Sequence, residues 1–185
     1  MLLDENTLAV LDEFCHDYAR RIYGRQVAKK LKMNQKTISN VLNRLEKENI
    51  LKYSTEGKNK YYFLNMANPQ IKDIVKMVEL ARKNKFISRH EKFGELFYSL
   101  EKQTQGTLII FGSYANFTST RDSDLDVFVI GKIEEIKDLE EMYGIKINVI
   151  KSSKGKINKQ DIFIKEIIKN HIILKGVEEF IELIW

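Results

Sequence analysis

The sequence predicts an α+β protein with two folded parts: a helical N-terminal part that ends in a β-hairpin, and a C-terminal part with a small mixed sheet. Three observations support this fold class. Apolar residues recur at helical spacing over the first 50 positions, two strand-like runs flank a turn directly afterwards, and strands alternate with helices beyond residue 100. The 43% hydrophobic and 31% charged content is typical of folded domains and argues against a disordered chain.

The composition also bears on location and on metal chemistry. No apolar run approaches the roughly 20 residues that span a bilayer, and the first residues lack the basic and apolar regions of a signal peptide. A single cysteine, Cys15, cannot form an internal disulfide. We therefore expect a cytoplasmic protein without a membrane partner. The histidines, His16, His90 and His171, are too far apart in sequence to suggest a zinc site.

Positive charge is concentrated in the N-terminal third of the chain. Residues 1–66 carry a net charge of +4, whereas residues 67–185 carry +1. Between Arg20 and Arg44 there are eight basic residues and no acidic one. Such a cluster is either a solvated face or a surface that binds phosphates.

Three helices are predicted in this basic region. Apolar spacing predicts the first over residues 7–22, with Gly24 as its end, and a short second helix over 25–32. The third covers residues 35–50, and Asn34 is suited to cap it. One face of the third helix is apolar and consists of Ile38, Val41, Leu42 and Leu45.

A hairpin is predicted after the third helix, because "ILKYS" and "KYYFLN" read as strands on either side of the turn "TEGKN". The order of helix, helix, turn, helix, strand, basic turn and strand resembles the winged helix-turn-helix family of DNA-binding domains over about residues 6–66. We assign residues 1–66 to such a domain, and the resemblance implies double-stranded DNA as a partner.

The polar face of the third helix suits the major groove, where Gln and Asn can pair with adenine edges. The predicted DNA contacts are Arg25, Gln35, Lys36, Thr37, Ser39, Asn40, Asn43, Lys58 and Lys60. With Arg25, the lysines Lys29, Lys30 and Lys32 would meet backbone phosphates. The alternative is a three-helix domain whose hydrophilic face binds protein.

A connecting helix is predicted over residues 67–84, because Pro69, the only proline, suits a helix start. Its narrow apolar stripe is typical of a helix that pairs with another helix, so it is also a candidate dimer element for a homodimer. The stripe consists of Ile71, Ile74, Val75, Val78 and Ala81.

The C-terminal domain is assigned to residues 85–185. Its first helix, "KFGELFYSLEKQ", is expected to stop at Gln105–Gly106, before the continuous apolar strand "TLIIFG". The later segments are predicted as strand "DLDVFVI", helix "IEEIKDLEEMYG", strand "IKINVI", polar loop "KSSKGKINKQ", helix "DIFIKEIIKN", extended "HIILKG" and helix "VEEFIELIW".

Two features of the stretch "FGSYANFTSTRDSDLDVFVI" suggest a nucleotide site. Gly112 and Ser113 follow a buried strand, and "SYANF" can begin a helix, which together would suit a phosphate. Asp124 and Asp126 lie two residues apart on a strand, so both side chains point to the same face. Two adjacent carboxylates repel each other unless a cation bridges them, and Mg²⁺ binds through one or two carboxylates plus substrate phosphates.

The stretch resembles the signature of the polymerase-beta-like nucleotidyltransferase superfamily, most closely its minimal nucleotidyltransferases. The matching positions are Gly112, Ser113, Ala115, Ser123, Asp124 and Asp126. The resemblance covers about residues 85–185 and implies a small mixed sheet with flanking helices. It implies Asp124 and Asp126 as catalytic Mg²⁺ ligands, and Gly112 and Ser113 as contacts to a nucleoside triphosphate, expected to be ATP. Arg121 and Ser123 complete the predicted nucleotide-binding set.

Two positions depart from the family pattern. Phe117 replaces an expected glycine, which would crowd the first helical turn. Asn148 occupies the position that resembles the third carboxylate of the family, and an amide cannot accept a proton near pH 7. Either another acid such as Asp161 or Glu166 serves, or the acceptor needs little activation, or the domain binds nucleotide without turnover.

Two functions therefore stay open. In the first, the protein is a nucleotidyltransferase that moves a nucleotidyl group to a hydroxyl of a partner protein, a nucleic acid or a small molecule. In the second, it is a transcriptional regulator or antitoxin-like protein whose C-terminal domain only senses a nucleotide or a partner. A weaker third option is a nucleic-acid modifier that holds its substrate with the winged helix.

Overall fold

The computed structural model describes residues 4–185 and divides the chain into two compact units, Met1–Val78 and Glu79–Trp185. We call them the N-terminal and the C-terminal unit. The predicted α+β fold class is confirmed, since the described residues form nine α-helices, one three-stranded and one four-stranded sheet. In the same residues, every helix is too short or too polar to cross a lipid bilayer.

The N-terminal unit combines three helices with a small antiparallel sheet of order β1-β3-β2. Its elements are α1 (Glu5–Cys15), β1 (Ile22–Tyr23), α2 (Gly24–Leu31), α3 (Gln35–Lys47), β2 (Leu51–Glu56) and β3 (Asn59–Leu64). The predicted hairpin is confirmed, with all six residues of β2 paired to β3.

The first helix is shorter than predicted, because it ends at Cys15 rather than at residue 22. The Asp17 carboxylate accepts a hydrogen bond from the Ala19 amide at 2.9 Å. Such a local bond offers the backbone an alternative to the helical ladder. Ile22 then pairs with Tyr62 as a strand instead of continuing the helix.

Helix α3 has the predicted cap and apolar face. The Asn34 side chain accepts a hydrogen bond from the Lys36 amide at 2.8 Å. The four predicted apolar side chains are all buried. The helix ends at Lys47, three residues before the predicted end, and Asn49 shortly beyond it has a left-handed φ of 60° that a helix cannot accommodate.

Helix α4 (Ile71–Arg89) is longer than the predicted connector, and the boundary between the two units falls inside it. The structure contradicts the use of its apolar stripe as a dimer seam. Ile71, Ile74, Val75 and Val78 are at most 8% exposed in the single chain. These side chains therefore belong to the core of the chain itself.

The C-terminal unit alternates helices and strands as predicted. After a 3₁₀ turn at Glu91–Phe93 come α5 (Gly94–Gln103), β4 (Thr104–Phe111), α6 (Gly112–Ala115), β5 (Leu125–Ile133), α7 (Lys137–Tyr143), β6 (Ile147–Ser152), α8 (Ile162–Lys169), β7 (Ile172–Lys175) and α9 (Val177–Ile184). Gln105 and Gly106 do not end a helix as predicted. They lie inside β4 and pair with Lys132 and Gly131 of β5.

The sheet of this unit has the order β6-β5-β4-β7, in which β5 is antiparallel to β4 and parallel to β6. One face packs on a hydrophobic core that includes Leu96, Leu100, Leu108, Ile110, Val127 and Val129. On the other face, the ring of Phe163 from α8 makes edge contacts with Phe111 and Phe128 at 5.7 and 5.6 Å between centroids.

The register places the candidate chemistry at one edge of the sheet. Phe111, the last residue of β4, pairs with Asp126, and Asp126 pairs in turn with Asn148. Directly paired residues point to the same side of a sheet. The end of β4 and the starts of β5 and β6 therefore bring the predicted site residues into contact.

Candidate functional site

Gly112 lies directly against the carboxylate of Asp126. It has a left-handed φ of 68°, and a Cβ atom added there would lie 2.5 Å from Asp126 Oδ2. Only a residue without a side chain allows this approach without strain. The two halves of the predicted site, the glycine turn after β4 and the acidic strand β5, therefore meet.

Asn148 connects the two aspartates. Its Nδ2 atom donates to Asp124 Oδ2 at 3.2 Å and to Asp126 Oδ1 at 3.0 Å. An ionised carboxylate can only accept hydrogen bonds, so the NH₂ end of the amide must face the pair. The amide hydrogens thus partly neutralise the repulsion between the two acids.

Lys146 is a fourth member of the site that the sequence prediction missed. Its Nζ atom lies 3.1 Å from Asp124 Oδ2, and its ammonium group remains largely exposed. Lys146 and Asn148 are two residues apart along an extended segment, so they point to the same face. That alternation was visible in "KINVI" and could have revealed Lys146.

Two neighbouring side chains stabilise the charged form of Asp124. Hydrogen bonds from Lys146 and then from Asn148 hold the pKa of the Asp124 carboxyl below its ordinary value of 3.8. Asp124 therefore remains negatively charged at neutral pH even though Asp126 lies close by.

Neither alternative acid contacts the pair through a hydrogen bond in the described structure. The Asp161 carboxylate caps α8, accepting from the amides of Phe163 at 2.8 Å and Ile164 at 3.2 Å. Glu166 lies on the exposed side of the same helix, 4.0 Å from the ammonium of Lys169. The structure therefore gives no support to Asp161 or Glu166 as the proton acceptor.

The remaining nucleotide-binding candidates surround the glycine turn and the following loop. Ser113 is half-buried next to Gly112. Ser123 accepts a hydrogen bond from the Thr120 amide at 2.8 Å and thereby shapes the loop before β5. Arg121 is exposed in the same loop. The helix predicted from "SYANF" is a single turn, so its dipole contributes little to phosphate binding.

Phe117 does not crowd a helical turn as predicted, because α6 ends before it at Ala115. It has a left-handed φ of 57°, which explains why a glycine is expected at this position of the pattern. Its ring stacks on His90 at 6.0 Å, and the Arg89 guanidinium lies 4.7 Å from its centroid. These contacts compensate part of the backbone strain.

In the N-terminal unit, the predicted DNA contacts are at the surface. Arg25, Gln35, Lys36, Asn40, Asn43, Lys58 and Lys60 are exposed, and Thr37 and Ser39 are half-buried. Two of them also have structural partners. Asn43 Oδ1 accepts from the Tyr62 hydroxyl at 2.9 Å, which ties α3 to the hairpin, and the Lys60 ammonium lies 4.0 Å from the centroid of Tyr53.

Part of the basic cluster is used inside the unit. Lys30, predicted to meet a phosphate, lies 2.8 Å from a carboxylate oxygen of the buried Glu13, which Arg20 also contacts. Arg44 likewise pairs with Asp4. Other predicted cations of α2 and α3 are exposed, namely Arg25, Lys29, Lys32 and Lys36.

The C-terminal site contains oxygen ligands that suit a Mg²⁺ ion. The two carboxylates of Asp124 and Asp126 are oxygen ligands of the kind that Mg²⁺ takes together with substrate phosphates. Within residues 4–185, no cluster of three or more His, Cys, Asp or Glu residues could hold a metal by itself. The phosphates of a nucleotide would have to complete the coordination.

The chain belongs to the nucleotidyltransferase domain family, whose family model matches residues 90–182. Domains of this kind generally use a divalent metal with a nucleoside triphosphate. The matched segment contains the Gly112 turn, both aspartates and Asn148.

A solved structure described as a toxin-antitoxin with AMP-PNP is similar to the chain at 18% identity, covering 51% of this chain and 78% of that chain, with a TM-score of 0.37. A score of that size is too low to transfer any detail. No curated protein matches the chain.

Proposed function

We propose that the protein is a DNA-binding protein whose C-terminal unit binds a nucleoside triphosphate with a divalent cation, Mg²⁺ with ATP being the expected pair. The observation that carries the proposal is the close approach of the Gly112 backbone to the Asp126 carboxylate, which Asn148 links to Asp124. A cation on the carboxylates would face phosphates lying over the glycine turn.

Each residue has a role in this proposal. Asp124 and Asp126 hold the cation, and Gly112 allows the triphosphate to approach because it has no side chain. Ser113 offers a hydroxyl to a phosphate, and Arg121 and Ser123 in the adjoining loop would contact the nucleotide from the other side.

Nucleotide binding without rapid turnover is the form of this function that the site supports best. Transfer to a hydroxyl requires a group that accepts the proton of the acceptor. The position that would supply it is Asn148, whose amide donates to the acids instead. A regulator whose DNA binding responds to nucleotide, or an antitoxin-like protein that senses a partner, is consistent with such a site.

Nucleotidyl transfer is the second candidate, and membership of the nucleotidyltransferase domain family favours it. The acceptor would be a hydroxyl of a protein, a nucleic acid or a small molecule. Intact-mass measurement of the protein and of co-purified proteins after incubation with each nucleotide and Mg²⁺ separates the two candidates. Transfer of the nucleotidyl group releases pyrophosphate, so an added nucleotidyl mass or released pyrophosphate supports transfer. Unchanged masses and no released pyrophosphate, with measurable nucleotide binding, support the sensor.

The binding proposal is tested by equilibrium dialysis of a labelled, non-hydrolysable ATP analogue with Mg²⁺. The double variant Asp124→Asn, Asp126→Asn keeps the size of both side chains and removes both charges. We expect at least a hundredfold loss of affinity. Asp138→Asn, at an exposed position of α7, is the matched control and is expected to bind like wild type. Equal binding by the double variant would refute the site.

The proposed function also includes DNA binding by the N-terminal unit. Supporting it are the helix, strand, helix, helix, hairpin order, the polar exposed face of α3 and the exposed cations of α2 and the hairpin. The outer face of α3 is free of large apolar side chains, which suits a base-reading surface better than a hydrophobic protein interface.

A further inference from the structure

We infer that Lys146 and Asn148 restrict the nucleotide site to one divalent cation per bound triphosphate. The inference rests on the proposed nucleotide binding and adds to it the number of cations and the residues that set this number.

The charge of the site limits the number of cations. The four polar side chains at the edge of the sheet are two carboxylates, one ammonium and one amide, so they carry a single net negative charge. Sites with two divalent cations hold them only about 3.5–4 Å apart. Two such ions repel each other strongly, and with the same triphosphate bound these side chains offset that repulsion less than three carboxylates would.

The positions of Lys146 and Asn148 also limit the number of cations. The Lys146 ammonium is 3.1 Å from Asp124 Oδ2, and the Asn148 amide nitrogen is within 3.2 Å of an oxygen of each acid. Together these two donors contact both carboxylates on the side that faces β6. A second cation on that side would have to displace the ammonium and turn the amide away from both acids.

Lys146 also has a role once a nucleotide is present. Its side chain is 68% exposed, and an ammonium has three donors, so it can contact a phosphate while it stays paired with Asp124. Lysine binds phosphate as a mobile point charge. Lys146 would thus supply the positive charge that the second metal ion supplies in sites with two divalent cations. It is therefore a specificity-determining residue of the site.

The test counts protein-bound Mn²⁺ by equilibrium dialysis at a saturating concentration of a non-hydrolysable ATP analogue. The excess of total Mn²⁺ on the protein side is the bound Mn²⁺, because Mn²⁺ held by free analogue is equal on both sides. We expect one Mn²⁺ per wild-type chain. The double variant Lys146→Met, Asn148→Asp is expected to bind two, and Lys146→Met alone is expected to bind the first ion about tenfold more tightly.

Lys132→Met, which removes the same charge at an exposed position of β5, is the matched control and should bind one ion like wild type. Two Mn²⁺ ions in wild type, or a double variant that stays at one, would overturn the inference while leaving nucleotide binding intact. Analogue bound without any Mn²⁺ would also overturn it. If the analogue itself does not bind wild type, the proposed function fails and the inference fails with it.

Discussion

The contact between Gly112 and Asp126 is the most restrictive feature of the site at the scale of single residues. Two properties of Gly112 oppose any side chain there, its left-handed φ of 68° and the Asp126 oxygen in the way of a Cβ atom. The backbone strain alone is worth about 1 kcal/mol for alanine. The clash would in addition push the Asp126 carboxylate out of the cation site.

We therefore predict that Gly112→Ala weakens binding of the ATP analogue at least tenfold, measured by calorimetry. Gly144→Ala is the matched control, because Gly144 also has a left-handed φ, 58°, but no atom within 4 Å of an added Cβ. It should cost about 1 kcal/mol of stability and leave nucleotide affinity unchanged. Equal losses of affinity in both variants would mean that backbone strain, and not the approach to Asp126, matters.

A second prediction concerns the pKa of Asp124, which Lys146 lowers more than Asn148 does. A lowered pKa means that the carboxylate keeps its charge, and its bond to Lys146, until the pH falls through that lowered value. Lys146→Met should move the pKa up towards 3.8, so that the charge is lost at a higher pH. Carbon-detected NMR titration of the Asp124 carboxyl measures the shift.

Lys132→Met, at an exposed position of β5, serves as the control and should leave the Asp124 titration in place. An identical titration in wild type and Lys146→Met would show that the ion pair does not persist in solution.

Single residues show what a sequence can and cannot reveal about this site. The proximity of Asp124 and Asp126 follows from strand alternation, and the spacing of the motif predicts the nearby Gly112 turn. The bond from Lys146 to Asp124 depends on the register between β5 and β6, in which Leu125 faces Ile147. Register between strands that are distant in sequence is set by tertiary packing, so the alternation in "KINVI" shows that Lys146 and Asn148 share a face but not that this face meets Asp124.

At the scale of elements, helix α4 is joined to the start of β7 by a buried polar cluster. Glu79 and His171 are at most 1% exposed, with His171 Nε2 at 3.2 Å from Glu79 Oε1, and Arg82 Nη1 lies 2.8 Å from Glu79 Oε2. The His171 ring also packs on Phe180 at 5.0 Å. Removing one member of a buried charged cluster leaves its partners desolvated and incompletely paired.

We predict that His171→Ala lowers the free energy of unfolding of the C-terminal unit by about 3 kcal/mol, measured by urea denaturation. His90→Ala is the comparison, because this imidazole is only half-buried and stacks on the exposed ring of Phe117. Its loss should cost about 1 kcal/mol. A cost for His171→Ala no larger than that for His90→Ala would contradict the importance of the cluster.

Some elements can be predicted from neighbouring residues, whereas others depend on pairing between distant parts of the chain. The cap at Asn34, the buried face of α3 and the hairpin depend on neighbouring residues, and all were predicted from the sequence. The strand at Ile22 exists because Tyr62 pairs with it from 40 positions away, and Gly106 remains in β4 because Gly131 faces it. The stripe of α4 looked like a dimer seam because periodicity shows that a face is buried, not what buries it.

At the scale of the whole molecule, the uneven charge of the two halves supports DNA binding by the N-terminal unit. Lys36 lies in the first turn of α3 and is exposed. We predict that Lys36→Glu lowers affinity for duplex DNA at least tenfold and reduces the slope of log affinity against log salt by about 1, measured by fluorescence anisotropy.

Lys85→Glu makes the same change of net charge at an exposed position of α4 in the C-terminal unit and is the control. It should retain most of the DNA affinity. If both variants lose affinity equally, binding reflects net charge alone and not a groove-binding surface on α3.

Binding of a nucleoside triphosphate by Gly112, Asp124 and Asp126 through a divalent cation is the proposal on which the other roles depend. Calorimetric titration of the wild-type protein with a non-hydrolysable ATP analogue, with Mg²⁺ and then with EDTA, tests it most directly. We predict saturable binding of one nucleotide per chain with Mg²⁺ and at least a hundredfold weaker binding in EDTA. Absence of binding at millimolar nucleotide with Mg²⁺, or equal affinity with and without the cation, would contradict the claim.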